Sequence, residues 1–369
     1  MKVADYTSSA QEPLTLRVSM SSAADLLCSL WILSDRRNDD ALEDLDLGDP
    51  WFAALEDDLS PETVANLDRI GSGEVWIAML PTLPETGEGG TVASFLTYLK
   101  GMDPADLRFA LMNVQDLLTD VPRDVVADAA EGKLDAVETI LSVSCLATPE
   151  KKRWRETLRY LLMMEPVETQ QLIVDTLERF QSDAFATREA TFRPFLEADY
   201  RSKRSMARRV SPERLLELAT SGINFSEGSA KRLPIVLMPT MVARPWVVFA
   251  SGPDYFVLGY PVGDEFLDED PDAPPTWLVK LHKALGDERR LRVLRTLAEG
   301  DASLADLADQ VDIAKSTLHH HLMLLRAAGL VRVHVGEEKR YSLRNEALGD
   351  ANRVLDHYIH GTADSEEAR

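Results

Sequence analysis

Three consecutive histidines, His319, His320 and His321, sit inside the run KSTLHHHLMLLRAAGL at 315–330. Neighbouring imidazoles could serve a metal site, a surface that touches DNA, or a polar helix face. Helical geometry separates these readings. Successive side chains on a helix diverge by about 100°, so three in a row cannot converge on one ion, and the metal reading of the triplet fails. On the same helix Leu318, Leu322 and Leu325 share one face and must pack inward. Ser316, Thr317, His319 and His320 project to the other side or its flanks, near the N-terminal end. His321 lies beside the leucine face and reads as a core residue. The remaining choice for His319 and His320 is between DNA contact and a merely solvated face.

The elements around this helix decide between them. Thr276–Leu285 reads as a short helix stopped by Gly286, and Asp287 can cap a second helix with Leu291, Leu294 and Leu297 on its apolar face. Ser303-Leu304-Ala305-Asp306 has the form of a capping box and opens a third helix. A tight turn at Val311-Asp312-Ile313 leads into the histidine helix, which Gly329 stops. VRVHV and RYSLR then flank Gly336-Glu337-Glu338-Lys339 as a β-hairpin. Helix, turn, helix and hairpin form the layout of a winged helix-turn-helix, whose second helix enters the DNA major groove.

Charge agrees once it is divided along the chain. The 369 residues carry a net charge of −22, which alone argues against a nucleic-acid partner. Between Thr276 and Arg344, however, twelve Lys and Arg stand against nine Asp and Glu, so this stretch is basic on an acidic protein. All seven histidines also lie at or beyond His282.

The run from Leu278 to Tyr358 resembles the winged-helix domain of ArsR-type transcriptional regulators. The similarity rests on the arginine-leucine helix at 289–297, the STLHHHL core, the LRAAGLV exit and a hairpin ending in YSL. The resemblance implies that Lys315, Ser316, Thr317, His319 and His320 face bases and phosphates, and that Lys339 and Arg340 on the wing meet phosphate or the adjacent minor groove. It also implies double-stranded DNA with an inverted-repeat operator as partner, and a homodimer. Metal-sensing members carry Cys-x-Cys in the third helix; Ser303 and Ala305 stand there, so no thiolate metal site and no cofactor are expected. His357-x-x-His360 has a helical spacing but lacks a full ligand set. Relatives often carry a capping serine where this chain has Ala314, so Asp312 is expected to supply the capping oxygen.

Upstream, helix starts recur at Ser60-Pro61-Glu62, Asp103-Pro104-Ala105-Asp106, Thr148-Pro149-Glu150 and Ser211-Pro212-Glu213. Residues 1–225 therefore read as mostly helix. Leu233–Val262 holds three β-branched and aromatic runs and reads as a small antiparallel sheet. The expected fold is mainly α. A helical regulatory or dimerisation domain spans 1–262, an acidic Pro-rich linker 263–275, the winged helix 276–360, and a disordered tail 361–369. The first part resembles, loosely, uncharacterised helical regions fused ahead of some ArsR-type domains.

Without a histidine before His282, the first 281 residues cannot host a histidine-based triad or a His/Cys metal cage. Gly87-Glu88-Gly89-Gly90 lacks the setting of a phosphate loop. The basic stretches KKRWRETLR (151–159) and RSKRSMARR (201–209) are either solvated helix faces or extra phosphate contacts. No apolar run reaches the roughly 18–20 residues of a membrane span, and the two cysteines read as buried thiols. The sequence thus points to a cytoplasmic DNA-binding regulator, not an enzyme, with a small-molecule effector as a possible ligand of the N-terminal part. The alternatives are an enzyme with a fused regulatory winged helix, or a protein-interaction module.

Overall fold

The computed structural model describes residues 14–38, 44–86, 90–112, 121–143, 146, 148, 151–225, 233–267, 274–335, 338–344, 355, 356, 358 and 359. The described residues open with β1 (Leu16–Val18), α1 (Ala23–Arg36), α2 (Gly48–Asp57), α3 (Pro61–Ile70), α4 (Glu74–Ala78), α5 (Val92–Gly101) and α6 (Pro104–Met112). It continues through α7 (Arg123–Ala130), α8 (Leu134–Leu141), α9 (Lys152–Met163), α10 (Pro166–Phe180), α11 (Ala186–Met206), α12 (Pro212–Ala219) and β2 (Ile223–Phe225). Then come β3 (Ile235–Thr240), β4 (Val248–Ser251) and β5 (Phe256–Pro261). There follow α13 (Thr276–Leu285), α14 (Glu288–Leu297), β6 (Ala302–Ser303), α15 (Leu304–Val311), α16 (Lys315–Ala327), β7 (Val331–Val335) and β8 (Arg340–Leu343).

Several helix starts follow the capping chemistry of the sequence. The Ser60 hydroxyl accepts from the Thr63 amide at the head of α3, and Ser211 accepts from Arg214 at the head of α12, each with proline in the first turn. Asp103 Oδ1 accepts from the Ala105 amide at the start of α6. The Thr148-Pro149-Glu150 signal falls partly outside the described residues, and α9 starts at Lys152 with no side-chain cap.

Chain contacts divide the molecule into two units, and the division follows strand pairing rather than chain order. The first unit comprises residues 17–208 and 235–267. Its sheet has the order β1-β3-β5-β4. The sheet is mixed rather than antiparallel, because β3 runs parallel to β5 while β4 runs antiparallel to it. Every residue of β3 is buried, as expected of a strand covered on both faces. The most buried helix is α1, where Leu26, Leu27, Leu30 and Leu33 are fully enclosed. Its Asp25 is enclosed too: Oδ1 accepts from the amides of Met241 and Val242 at 2.8 and 2.9 Å, just beyond β3. Oδ2 has no partner among the described residues. Burial pushes the Asp25 carboxyl up to about 7, against the pull of its two backbone hydrogen bonds.

The second unit takes residues 1–16, 209–234 and 268 onward. It holds α13, α14, α15 and α16, a sheet of order β2-β7-β8-β6, and α12. The expected domain 1–262 is therefore not one contact unit, because α12 and β2 group with the winged helix. The physical reason is edge pairing. β2 lies parallel to β7 with Ile223 opposite Val333, and its amides and carbonyls would otherwise be left open. Most of the acidic linker, at 268–273, and the tail at 361–369 lie outside the described residues.

Candidate nucleic-acid interface

The histidine helix forms where the sequence places it. Leu318, Leu322 and Leu325 of α16 are fully buried, in one apolar cluster with Val293, Leu294, Leu297, Leu307 and Val331. The second helix turns slightly differently from expectation: Val293, not Leu291, joins Leu294 and Leu297 in that cluster, and Leu291 is 48% exposed. Asp287 caps α14 by accepting from the Arg290 amide. Ser303 and Asp306 form the full capping box at α15. Ser303 is thus occupied in holding a helix end.

Between α15 and α16, Asp312 adopts a left-handed conformation (φ 54°) and closes α15. The expectation that Asp312 caps the next helix is corrected here: α16 starts after Ala314 with no side-chain cap. Its first amides therefore keep their donor capacity and the positive end of the helix dipole. A cleft of about 400 Å³ opens at this point, lined by Arg289, Arg292, Val311, Asp312, Ile313, Ala314 and Thr317. Arg289 and Arg292 were not among the residues read as DNA-facing. The repeated arginines of ERRLRVLR are the signal the sequence carries for this lining.

Of the seven expected contact residues, Lys315, Ser316 and His319 are exposed and Thr317 and His320 are partly exposed. On the wing, the hairpin β7–β8, Lys339 and Arg340 are exposed. The wing stands close enough to act on the helix. Crowding, then the Lys339 ammonium, then His320 push the pKa of the exposed His319 below the ordinary imidazole value. At neutral pH His319 is therefore a neutral ring that can both donate and accept. Arg340 is engaged within the protein, donating to the Asp301 carbonyl at 2.7 Å and pairing with Glu338 at 3.6 Å.

His321 is buried at 7% exposure, and neither ring nitrogen has a hydrogen-bond partner among the described residues. Burial depresses its pKa despite the nearby Asp287 carboxylate. It is a neutral core imidazole. Gly329 (φ 74°) ends α16, and the wing is zipped by antiparallel pairing of Val331–His334 with Arg340–Leu343. His334 and Ser342 add a side-chain hydrogen bond of 2.8 Å between its strands.

Among the described residues no group of His, Cys, Asp and Glu could hold a metal ion. His357 and His360 lie outside them, as does Cys145, while Cys28 is buried with a free thiol. The two upstream basic stretches meet local partners. Lys151 pairs with Glu74 and Arg159 with Glu138. Arg201 pairs with Glu197, and the buried Lys203 with Asp199. No helix of the described residues is long and apolar enough to cross a membrane.

The family described as bacterial regulatory protein, arsR family, matches residues 287–333. The transcriptional repressor SdpR of Bacillus subtilis (strain 168) is 32% identical over 78 residues, covering 21% of this chain and 87% of that protein. The HTH-type transcriptional regulator CmtR of Mycobacterium tuberculosis (strain ATCC 25618 / H37Rv) is 35% identical over 83 residues, covering 21% of this chain and 70% of that protein. Among solved structures, reduced HlyU from Vibrio cholerae N16961 shares 30% identity over 23% of this chain and 90% of that one, with a TM-score of 0.19.

Proposed function

Because the chain belongs to the arsR family of bacterial regulatory proteins through its C-terminal winged helix-turn-helix, we propose that it is a sequence-specific DNA-binding transcriptional regulator of the cytoplasm. The carrying observation is the exposed polar start of α16 beside the wing, on a helix whose leucines lock it into the core. Ser316, Thr317, His319 and His320 read base edges in the major groove, and Lys315 contacts the backbone. Lys339 reaches the adjacent phosphate or minor groove, and Arg340 joins it by exchanging its Glu338 pair for phosphate. The cleft between Arg289, Arg292 and the uncapped end of α16 receives a DNA phosphate.

The regulator acts as a homodimer. Trp277 on α13, together with Tyr358 and Ile359, leaves apolar surface exposed in the same unit, at 37%, 42% and 61%. A two-fold pair of winged helices sets the recognition helices about 34 Å apart, one DNA turn, on an inverted repeat. The N-terminal unit supplies regulatory input or dimer contacts rather than catalysis, and Lys151, Arg159, Arg201 and Lys203 of its basic stretches already pair with acids. No thiolate metal site operates, since the Cys-x-Cys positions hold Ser303 and Ala305. Added zinc or cadmium therefore leaves the DNA complex in place.

Selection of bound duplexes from a random pool by the full-length protein tests this reading. Recovery of an inverted repeat with half-sites about one turn apart is expected. Recovery of no common sequence overturns it.

A further inference from the structure

The wing carries a strand that the winged-helix layout does not call for. α12 and β2 come from residues 209–234, far upstream of the rest of their unit, and β2 pairs in parallel with β7 along Ile223–Val333, Asn224–His334 and Phe225–Val335. We propose that α12–β2 is a positioning strap of the DNA-binding domain, fixing the wing relative to the recognition helix for operator binding. This rests on the DNA-binding reading above.

Three anchors hold the strap, each to a different part of the reading head. The first is backbone: the Val333 amide donates to the Gly222 carbonyl at 2.8 Å. Gly222 has φ 116°, and a Cβ there would lie 2.8 Å from the Val331 carbonyl oxygen, so only glycine permits this approach. The second is an ion pair: Arg332 Nε on β7 meets Glu217 Oε1 on α12 at 2.7 Å, with Arg214 on the other carboxylate oxygen at 2.9 Å. Partial burial would raise the Glu217 carboxyl, but the hydrogen bonds from Arg332 and Arg214 outweigh it and hold its pKa below the ordinary range.

The third anchor reaches the recognition helix itself. Arg326, in the last turn of α16, is fully buried and donates to the carbonyl of Thr220, where α12 ends. Among the described residues no carboxylate offsets this buried guanidinium, which is costly, and burial pushes Arg326 down to about 10. Its placement is explained if the strap's end is what this cation is there to hold, since the carbonyls at a helix C-terminus favour a positive charge. One short segment thus ties β7 of the wing and the tail of α16 to the same helix. In sequence the segment lies between two stretches of the first unit, which ends at Arg208 and resumes at Ile235.

The test uses the full-length protein and two variants, Gly222→Val and Glu217→Ala. Amide hydrogen exchange is followed at 331–335 and in α15, and affinity for the selected operator duplex is measured by fluorescence anisotropy. Both variants are expected to speed exchange in β7, leave α15 protected, and weaken operator binding, by about tenfold for Gly222→Val, the scale of a displaced backbone anchor. Glu217→Ala decides if Gly222→Val does not fold. Faster β7 exchange with unchanged affinity overturns the proposal, as does unchanged β7 exchange. Loss of α15 protection in both variants makes the segment a general folding element and overturns it too. If the unmodified protein selects no operator, the DNA-binding reading has failed instead.

Discussion

Replacing Asp25 by asparagine should change how the stability of the N-terminal unit depends on pH. The carboxyl is fully enclosed on α1, holds two backbone amides with one oxygen, and leaves the other without a partner. Its pKa rises in the folded chain from 3.8 to about 7. A group with a raised folded-state pKa contributes its full stability below the unfolded value and loses it as pH climbs through the folded value. At about 1.4 kcal/mol per pH unit, the gap from 3.8 to about 7 corresponds to a loss of about 4 kcal/mol by neutral pH. Between about pH 5 and about pH 8 the share still to be lost is about 3 kcal/mol. Asparagine keeps an oxygen for the two amides and does not titrate. Its amide group meets the same unpartnered corner, an offset of about 1–3 kcal/mol that does not vary with pH. The informative quantity is therefore the slope, not the absolute stability. Urea unfolding followed by tryptophan fluorescence is suitable, because five of the six tryptophans lie in this unit. The difference between wild type and Asp25→Asn should shift by about 3 kcal/mol in favour of the variant from pH 5 to pH 8. Parallel pH profiles would refute the reasoning and place the carboxyl in a hydrated setting.

Three further outcomes concern the reading head. Leu322→Ala opens a cavity in the winged-helix core and should cost about 2–5 kcal/mol, lowering the melting temperature and abolishing DNA binding together. The pair His319→Ala and His320→Ala should leave the circular dichroism spectrum and melting temperature unchanged while removing preference for the operator over random duplex; an unfolded double variant would mean both rings belong to the core. Lys339→Ala should weaken binding to all sequences alike and reduce the salt slope by about 1. By removing a neighbouring positive charge it should also raise the His319 pKa, read by NMR titration, since Lys339 now helps to hold that pKa down.

Local chemistry was the legible part of this chain. The capping box at Ser303, the cap at Asp287, the leucine spacing of α16 and the stop at Gly329 each act within a few residues, and each appears as the residue types dictate. The same spacing separated His321, which is buried, from the exposed His319. What escaped was long-range pairing. The union of Ile223 with Val333 spans the whole β3–β5 segment, and nothing in GINF announces a partner strand so far away. The parallel run of β3 against β5 was missed for a related reason, since short β-branched runs separated by turns look like hairpins until the register is known. Arg289 and Arg292 were not legible as the proposed phosphate contacts because the cleft they line forms at the uncapped start of α16, where the sequence suggested a cap from Asp312.

The most direct test of the central claim is a salt titration of full-length protein on the duplex upstream of its own gene, with a scrambled duplex alongside. The acidic N-terminal unit repels DNA and the winged helix attracts it. The account therefore predicts tight binding to the upstream duplex, a steep fall with salt, and weak binding to the scrambled one. Equal affinity for the two duplexes, or none for either from a folded protein, would contradict it.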